Sequence, residues 1–231
     1  MKTVILISAN TEWKAVKEIF PWLVITPSTY GEVAVMNLGG YELKLLHSGW
    51  GKIASAGSIQ HVIDHDRPDL IVNLGTCGGF EGVTKLGDIV LVERTFVYDI
   101  VELIGDPNIL EYYASSLDLG FLTEPYPYPV RKGIIASADS DLPPTKISYL
   151  KTMGAIAGDW ESAALAWVAK KNAARLLILR GVSDLVSEAG GEAYDNLSLY
   201  EERTKAIMQK LFDQLPRWLE SVKIGLGDSH F

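Results

Sequence analysis

Short runs of apolar residues alternate along the chain with segments in which apolar residues recur at helical spacing. The apolar runs are continuous and rich in Val, Ile and Leu, which is typical of strands covered by helices on both faces. They predict strands at residues 3–7, 43–46, 70–74, 88–92, 133–136 and 176–179. The segments between them predict helices at residues 12–20, 52–65, 161–172 and 200–222.

Two further patterns refine this alternation. Apolar residues recur every four positions in the last predicted helix, at Ile207, Leu211, Leu215 and Leu219. Charged residues fill the other face of that helix, which indicates packing against the core. Residues 32–39 and 41–49 read as a hairpin joined through Gly39 and Gly40, so the sheet is expected to be mixed. Residues 106–130 contain a Tyr-Pro-Tyr-Pro sequence and predict an irregular or mobile loop.

Strands alternating with helices, and no repeat or linker between them, predict an α/β fold. We expect a three-layer αβα sandwich around a mixed central sheet, with residues 1–231 forming a single domain.

The composition is that of a folded globular protein with an excess of acidic residues. Hydrophobic residues make up 48% of the chain and charged residues 22%. The formal net charge is −8 and no stretch is basic, which argues against a nucleic-acid partner. Cys77 is the only cysteine, so an internal disulfide and a cysteine zinc cage are excluded, as suits a reducing cytoplasm.

The apolar runs are also too short for a membrane protein or a secretory signal. None approaches the roughly 18 residues that a membrane-spanning helix needs. The run at residues 4–7 is shorter than the apolar part of a signal peptide, and Asn, Thr and Glu follow it closely. We therefore expect a cytoplasmic protein without a membrane partner.

Polar or glycine-rich turns follow several predicted strands, at the edge of an α/β sheet where ligands bind. Glu12 follows the first strand and can either face a ligand or favour the dipole of its helix. Residues 47–52, His-Ser-Gly-Trp-Gly-Lys, place Trp50 between two glycines that let backbone amides approach a ligand, although such turns also occur without one.

The segment at residues 73–79, Asn-Leu-Gly-Thr-Cys-Gly-Gly, is a third candidate. Its glycines and Thr76 expose backbone that can contact a sugar or an anion. It lacks the lysine of an ATP-binding P-loop and the Gly-x-Gly-x-x-Gly spacing of a dinucleotide site. The sequence therefore indicates neither ATP nor NAD.

Two further carboxylates accompany predicted elements. Glu161 follows Trp160 at the start of an alanine-rich helix, where it can be a dipole partner or a site residue. Asp184 follows Ser183 at the end of a predicted strand. It can cap a helix, or act as a general acid if burial raises its pKa.

The order and spacing of these motifs resemble one family over roughly residues 3–215. That family is the purine nucleoside phosphorylase and nucleosidase superfamily, and within it the chain looks closest to the 5'-methylthioadenosine/S-adenosylhomocysteine nucleosidases. The shared motifs are Gly-x-Gly-Lys at 49–52, Gly-Thr-Cys-Gly-Gly at 75–79, Leu-Gly-Asp-Ile-Val at 86–90, Ser-Ala-Asp at 137–139, Trp-Glu-Ser-Ala-Ala at 160–164 and Ser-Asp at 183–184.

The resemblance implies hydrolysis instead of phosphorolysis. Glu12 falls where the nucleosidases carry the glutamate that orients the attacking water. Related phosphorylases have a phosphate-holding arginine there, and a second arginine where this chain has Asn73. A carboxylate repels phosphate but can orient water, so the resemblance implies cleavage of the N-ribosidic bond of a purine nucleoside by water.

The resemblance also implies roles for the other candidates. Glu161 would accept hydrogen bonds from the ribose 2'- and 3'-hydroxyls, and Asp184, aided by Ser183, would protonate N7 of the departing base. Trp50 and Thr76 would line the ribose and water side, while Asp141 and Leu142 would face the base. This division parallels the paired carboxylates of glycosidases and requires neither a metal nor an organic cofactor.

Two departures from the family pattern concern the substrate. Asp159 and Trp160 stand where the family usually has Glu-Met, and Asp141 stands where an aromatic side chain stacks on adenine. One hypothesis is that Asp141 contacts a polar edge of a base or substituent absent from methylthioadenosine. The alternative is that Asp141 faces solvent and Trp160 or Phe80 stacks instead.

Other functions remain compatible with the sequence. A phosphate-dependent purine nucleoside phosphorylase, a futalosine-type hydrolase and a nucleoside-binding protein without turnover are alternatives, although intact Glu12, Glu161 and Asp184 argue against the last. The expected partner is a small purine nucleoside. The resemblance also implies a homodimer, with a mostly apolar patch at Phe96, Val97, Tyr98 and Ile100 beside the 5' pocket.

Overall fold

The computed structural model describes residues 1–106 and 108–222. The protein consists of one mixed β-sheet with helices on both faces. Its strands are β1 (Thr3–Ile7), β2 (Thr26–Pro27), β3 (Glu32–Leu38), β4 (Tyr41–His47), β5 (Leu70–Phe80), β6 (Ile89–Val97), β7 (Ser115–Ser116), β8 (Arg131–Ser137), β9 (Ala155–Asp159), β10 (Leu176–Ser187) and β11 (Gly190–Gly191). Its helices are α1 (Asn10–Ile19), α2 (Gly51–Asp66), α3 (Ile109–Tyr112), α4 (Ile147–Thr152), α5 (Ser162–Lys171) and α6 (Leu197–Glu220).

The predicted three-layer arrangement is confirmed by the two sides of β1. Because successive side chains of a strand point to opposite faces, Ile5 and Ile7 join one apolar cluster while Val4 and Leu6 join another. Helices α1 and α6 supply the first cluster, which includes Trp13 and Phe212 among its buried members. Helices α2 and α5 cover the opposite face.

The sheet pairing is mixed, as predicted, and part of it closes into a ring. Strand β1 lies between β4 and β5, parallel to both. Strand β5 pairs in parallel with β10, and the pairings continue through β6, β8 and β9 back to β5. The carboxyl halves of the two longest strands, β5 and β10, therefore belong both to the open sheet and to a five-membered ring.

The predicted hairpin is confirmed, since β3 and β4 pair in antiparallel fashion up to Leu38 and Tyr41. Gly39 and Gly40 have φ of 60° and 86°. Two-residue hairpin turns of this kind need positive φ at both central positions, which glycine adopts without a steric penalty.

The loop predicted at residues 75–79 is wrong, because β5 continues through it to Phe80, and β10 likewise continues past the predicted strand end at Leu179 to Ser187. Thr76 pairs with Gly181 and Cys77 with Val182, and a bulge follows before Asp184. Their glycines permit close packing: a Cβ on Gly79 would lie 2.2 Å from Thr84 Oγ1. A glycine-rich segment that reads as a loop is here the curved wall of the ring.

The remaining differences are short elements. Strand β9 and helix α4 were not predicted, and residues 106–130 contain α3 and β7 in addition to irregular backbone. The predicted helices are confirmed with ends shifted by a few residues. In the described part of the chain, no helix combines the length and the apolar character needed to cross a membrane.

The surface patch predicted at Phe96, Val97, Tyr98 and Ile100 is wrong. The first three side chains are 6%, 4% and 7% exposed and Ile100 is partly buried. Phe96 and Val97 pair with β8, and Phe96 and Tyr98 belong to a third apolar cluster within the same chain. The exposed apolar residues of this region come just after them: Val101, Leu103 and Ile104.

Candidate active site

A cavity of about 620 Å³ opens where several strands end or curve into the ring. It brings together the nine residues that the sequence predicted to be catalytic or substrate-binding: Glu12, Trp50, Thr76, Asp141, Leu142, Trp160, Glu161, Ser183 and Asp184. A larger groove of about 830 Å³ lies elsewhere, along β6 and β8, and none of these residues lines it. The smaller cavity is therefore the candidate site.

A buried guanidinium lies beneath the cavity floor. Arg180, on β10, is fully buried and contacts three carboxylates. Its Nη1 lies 3.6 Å from Glu12 Oε1, its Nη2 lies 3.4 Å from Glu161 Oε2, and its Nε lies 3.1 Å from Asp159 Oδ2. Gly75 makes room for this cluster, since a Cβ there would lie 2.2 Å from Arg180 Nη1.

Glu12 is held by backbone and side-chain donors. Its Oε1 accepts hydrogen bonds from the Thr76 backbone N at 2.6 Å and from Thr76 Oγ1 at 3.0 Å. Its Oε2 accepts one bond, from the Ala9 N at 3.1 Å, at the start of α1. Glu12 is thus both a helix-terminus residue and a site residue. Because Oε2 has the fewer partners, it is the oxygen with acceptor capacity left.

Asp159 and Glu161, at the start of α5, accept hydrogen bonds from different groups. Asp159 accepts from Ser137 Oγ at 2.6 Å and from the Ser162 N at 3.2 Å, so it caps the helix. Glu161 instead accepts from the Gly51 N at 3.2 Å. Burial raises the pKa of Glu161 to about 8; Arg180 opposes this shift, and the nearby carboxylates Asp159 and Glu12 add to it.

Asp184 lies within β10, directly after the bulge, so the interpretation of this residue as a helix cap is wrong. Ser183 Oγ donates to Asp184 Oδ1 at 3.0 Å. Burial raises the pKa of Asp184, and the hydrogen bond from Ser183 partly opposes the shift. A carboxyl group that keeps its proton to higher pH can act as a general acid.

Aromatic and apolar side chains form the cavity walls. The rings of Trp50 and Trp160 stack with centroids 5.2 Å apart, and Trp50 is 56% exposed at the mouth. Leu142 is buried, whereas Asp141 is exposed on the wall. Phe80 is fully buried in the protein and does not line the cavity, so the alternative that it stacks on a base is wrong.

Sequence reasoning missed three residues with contacts at the site. Arg180 was part of a quoted motif but received no role, although a lone charge in an apolar strand run was the available signal. Tyr194 donates to the Leu142 carbonyl at 2.9 Å. Tyr200, in the first turns of α6, has its hydroxyl 3.3 Å from Thr76 Oγ1. Nothing local in the sequence predicts these two contacts, because they join distant segments.

The cavity lining is strongly acidic. Its carboxylates are Glu12, Asp141, Asp159, Glu161, Asp184 and Asp195. Among the described residues that line it, none is Lys, Arg or His. Between residues 1–106 and 108–222, no three His, Cys, Asp or Glu side chains are placed to share a metal ion. The site is therefore built to receive a neutral or positively charged group and to repel an anion.

Comparisons with known proteins agree with this arrangement. The family model described as the phosphorylase superfamily matches residues 11–213. The 5'-methylthioadenosine/S-adenosylhomocysteine nucleosidase of Buchnera aphidicola subsp. Acyrthosiphon pisum (strain APS) is 27% identical over 199 residues, covering 80% of this chain and 85% of that protein. The enzyme of the same name from Geobacillus kaustophilus (strain HTA426) is 29% identical over 181 residues, covering 68% and 73%.

A solved structure shares the fold. The Streptococcus pneumoniae MTA/SAH nucleosidase, in complex with 8-aminoadenine, superposes with a TM-score of 0.76 at 20% identity. The match covers 96% of this chain and 100% of that one.

The raised pKa of Glu161 makes stability depend on pH. The folded protein holds this proton more tightly than the unfolded chain, whose pKa is near 4.5, so its stabilising contribution is complete below that pH and is lost as pH rises through about 8. We expect the unfolding free energy to fall by up to about 1.4 kcal/mol per pH unit from this group. Glu161→Gln should lack this slope in urea unfolding between about pH 5 and 8.

The matched control is Glu201→Gln, which changes an exposed carboxylate paired with Lys14 at 2.9 Å. This variant should keep the native slope. Equal slopes in the native protein and in Glu161→Gln would contradict the assignment of the proton to Glu161.

Proposed function

The chain belongs to the phosphorylase superfamily, and from that premise we propose that it is a nucleosidase that hydrolyses the N-ribosidic bond of a purine nucleoside. The products are the free base and the ribose moiety. The observation that carries the proposal is a cavity lined by carboxylates, with no Lys, Arg or His among the lining residues in the described part of the chain. The names of the relatives, 5'-methylthioadenosine/S-adenosylhomocysteine nucleosidases, support the same reaction.

The charges of the site suit the transition state of this reaction. Breaking the bond between C1' and N9 develops positive charge on the ribosyl ring and negative charge on the base. Glu12 and Glu161 supply negative charge on the ribose side, and Asp184 supplies a proton on the base side. The same separation of a proton donor from a carboxylate that orients water operates in glycosidases.

Water is favoured over phosphate as the nucleophile because none of the described residues that line the cavity is a Lys, Arg or His that could hold phosphate. Arg180 is fully buried and its guanidinium is occupied by Glu12, Glu161 and Asp159. Asn73 is also buried, and its amide donates to the Leu6 carbonyl at 3.0 Å, outside the cavity. Glu12 Oε2, which has one partner, supports the role of orienting a water molecule.

The substrate contacts follow from the same geometry. In this proposal Glu161 accepts hydrogen bonds from the ribose hydroxyls. Its position in the cavity lining, with Trp50 and Trp160 stacked in the same lining, supports that role. Hydroxyl donors and a developing positive charge both favour its ionised form. In this proposal Ser183 and Asp184 face the base, with Leu142 on the same wall: a Cβ on Gly78 would lie 3.0 Å from Leu142 Cδ1 and 3.8 Å from Asp184 Oδ1.

The position of Asp141 bears on which base is preferred. Asp141 is exposed and lines the cavity, so both a polar contact with the ligand and a solvent-facing position are open to it. A carboxylate cannot stack on a base but can accept hydrogen bonds from one. We propose that it contacts a polar edge absent from methylthioadenosine, which predicts a preference for another purine nucleoside.

Base release should require no phosphate. Purified protein is incubated with methylthioadenosine, adenosine, inosine and guanosine, with and without phosphate, and the released base and sugar are quantified. Free ribose products are expected in both conditions, because the cavity lining within residues 1–106 and 108–222 offers no cation for phosphate. Loss of turnover without phosphate, with ribose 1-phosphate formed in its presence, would identify a phosphorylase instead.

The ranking of kcat/KM among the same four nucleosides tests the proposed contact of Asp141. A strong preference for methylthioadenosine would rule out the altered base contact.

Asp184→Asn should lower kcat by about 10²- to 10⁴-fold, the usual contribution of a positioned general acid. Burial raises the pKa of Asp184, so the native enzyme should lose activity as pH rises through that raised value, and the variant should lack this limb. The control is Asp213→Asn, an exposed carboxylate on α6 bonded to Gln209. Native activity in a folded Asp184→Asn protein would exclude the acid role.

We further propose a homodimer, supported by the exposed apolar residues after β6. Val101, Leu103 and Ile104 are 77%, 90% and 99% exposed. Light scattering at micromolar concentration should give twice the monomer mass. The double variant Leu103→Asp/Ile104→Asp should shift the protein toward monomer, whereas Val24→Asp, at a residue 78% exposed elsewhere, should not. A monomeric native protein would exclude the dimer.

A further inference from the structure

The start of α6 contacts Thr76, which donates a hydrogen bond to Glu12, the residue proposed to orient water. Asn196 caps this helix, since its side chain accepts from the Leu199 N at 3.2 Å. Tyr200 follows in the first turns and its hydroxyl lies 3.3 Å from Thr76 Oγ1. Arg203, nearly one turn later, donates to the Ser183 carbonyl at 3.1 Å. The first turns of α6 are thus fixed against both β5 and β10.

The contact between Tyr200 and Thr76 has a defined direction. An ionised carboxylate only accepts hydrogen bonds, and a hydroxyl carries one hydrogen. Thr76 Oγ1 gives its hydrogen to Glu12 Oε1 at 3.0 Å, so the Tyr200 hydroxyl must be the donor in the 3.3 Å contact. Burial raises the pKa of Tyr200 to about 12, which keeps this phenol protonated at neutral pH. The three groups form a chain of donors that ends on Glu12.

We propose that the Tyr200 hydroxyl is a positioning group for hydrolysis, which holds the Thr76 hydroxyl as a donor to Glu12 and so leaves Glu12 Oε2 as the acceptor for the attacking water. The inference rests on the nucleosidase function proposed above. It assigns to α6 a role in the reaction beyond packing on the core.

The physical reason lies in the lone pairs of Thr76 Oγ1. When this oxygen accepts a hydrogen bond from the Tyr200 hydroxyl, it competes poorly with Glu12 Oε2 for a hydrogen bond from the water molecule. Without Tyr200, the Thr76 hydroxyl can rotate away from Glu12 and accept a hydrogen from the water. Water would then be divided between two acceptors, and Glu12 Oε1 would lose one of its two short hydrogen bonds from Thr76. Hydrogen bonds in such chains also strengthen one another.

Tyr200→Phe removes only the hydroxyl and keeps the ring. We expect kcat to fall by about 3- to 10-fold, the range of one hydrogen bond, with little change in KM. Tyr194→Phe is the matched control, because its hydroxyl bonds the Leu142 carbonyl on the base wall at 2.9 Å. Its loss should act mainly on KM. Thermal melting verifies that both variants are folded.

A double-mutant cycle separates positioning from packing. In a Thr76→Val protein the chain is already broken, so adding Tyr200→Phe should change kcat by less than about 2-fold. Adding Tyr194→Phe should have the same effect there as in the native background. In a Thr76→Ser protein, which keeps the hydroxyl, the full effect of Tyr200→Phe should return.

Native kcat in Tyr200→Phe, or an equal loss in the Thr76→Val and native backgrounds, would overturn the inference while leaving the nucleosidase function intact. A native protein that releases no base from any nucleoside would instead overturn the proposed function, and this inference with it.

Discussion

The arrangement of the site depends on one buried cation. Arg180 is the shared partner of Glu12, Asp159 and Glu161, and these carboxylates come from two distant parts of the chain, the start of α1 and the turn before α5. Burying a carboxylate without a partner is very unfavourable, whereas burying it in a hydrogen-bonded ion pair is tolerated. Arg180 also lies 3.4 Å from the Thr76 carbonyl and 3.2 Å from Ser162 Oγ. It therefore fixes the ends of α1, α5, β5 and β10 relative to one another.

The register of the sheet provides the space that the Arg180 guanidinium occupies. Arg180 pairs with Gly75 across the parallel strands β5 and β10. A side chain at that position would overlap both the guanidinium and Glu12, since a Cβ there would lie 2.6 Å from Glu12 Oε1. Shifting the register by one residue would place another side chain against the cluster and turn Arg180 to the opposite face. Sheet pairing and active-site charge are thus consequences of the same contact.

Local patterns predicted much of the fold and most of the residues that line the candidate site, and each failure has a physical cause. Continuous apolar runs gave the buried strands, and two glycines gave the hairpin. Residues 75–79 were misread because glycine favours turns in isolation, whereas here it allows close packing inside the ring. Strand β9, Ala-Ile-Ala-Gly-Asp, has little apolar bulk to reveal it. The role of Arg180 and the contact of Tyr200 with Thr76 arise only when segments about a hundred or more residues apart meet.

Arg180 offsets only one of the three negative charges that Glu12, Asp159 and Glu161 carry when all of them are ionised. Whether Glu161 is ionised therefore matters for the proposed reaction. Burial holds a proton on Glu161 at neutral pH, because its pKa is raised to about 8. In the proposed reaction, a ribose with hydroxyl donors, and still more a ribosyl ring gaining positive charge, would favour the ionised form instead. The negative charge is therefore strongest when the bond to the base is breaking. Stabilisation that grows toward the transition state raises kcat, whereas charge expressed equally in the ground state would only tighten binding.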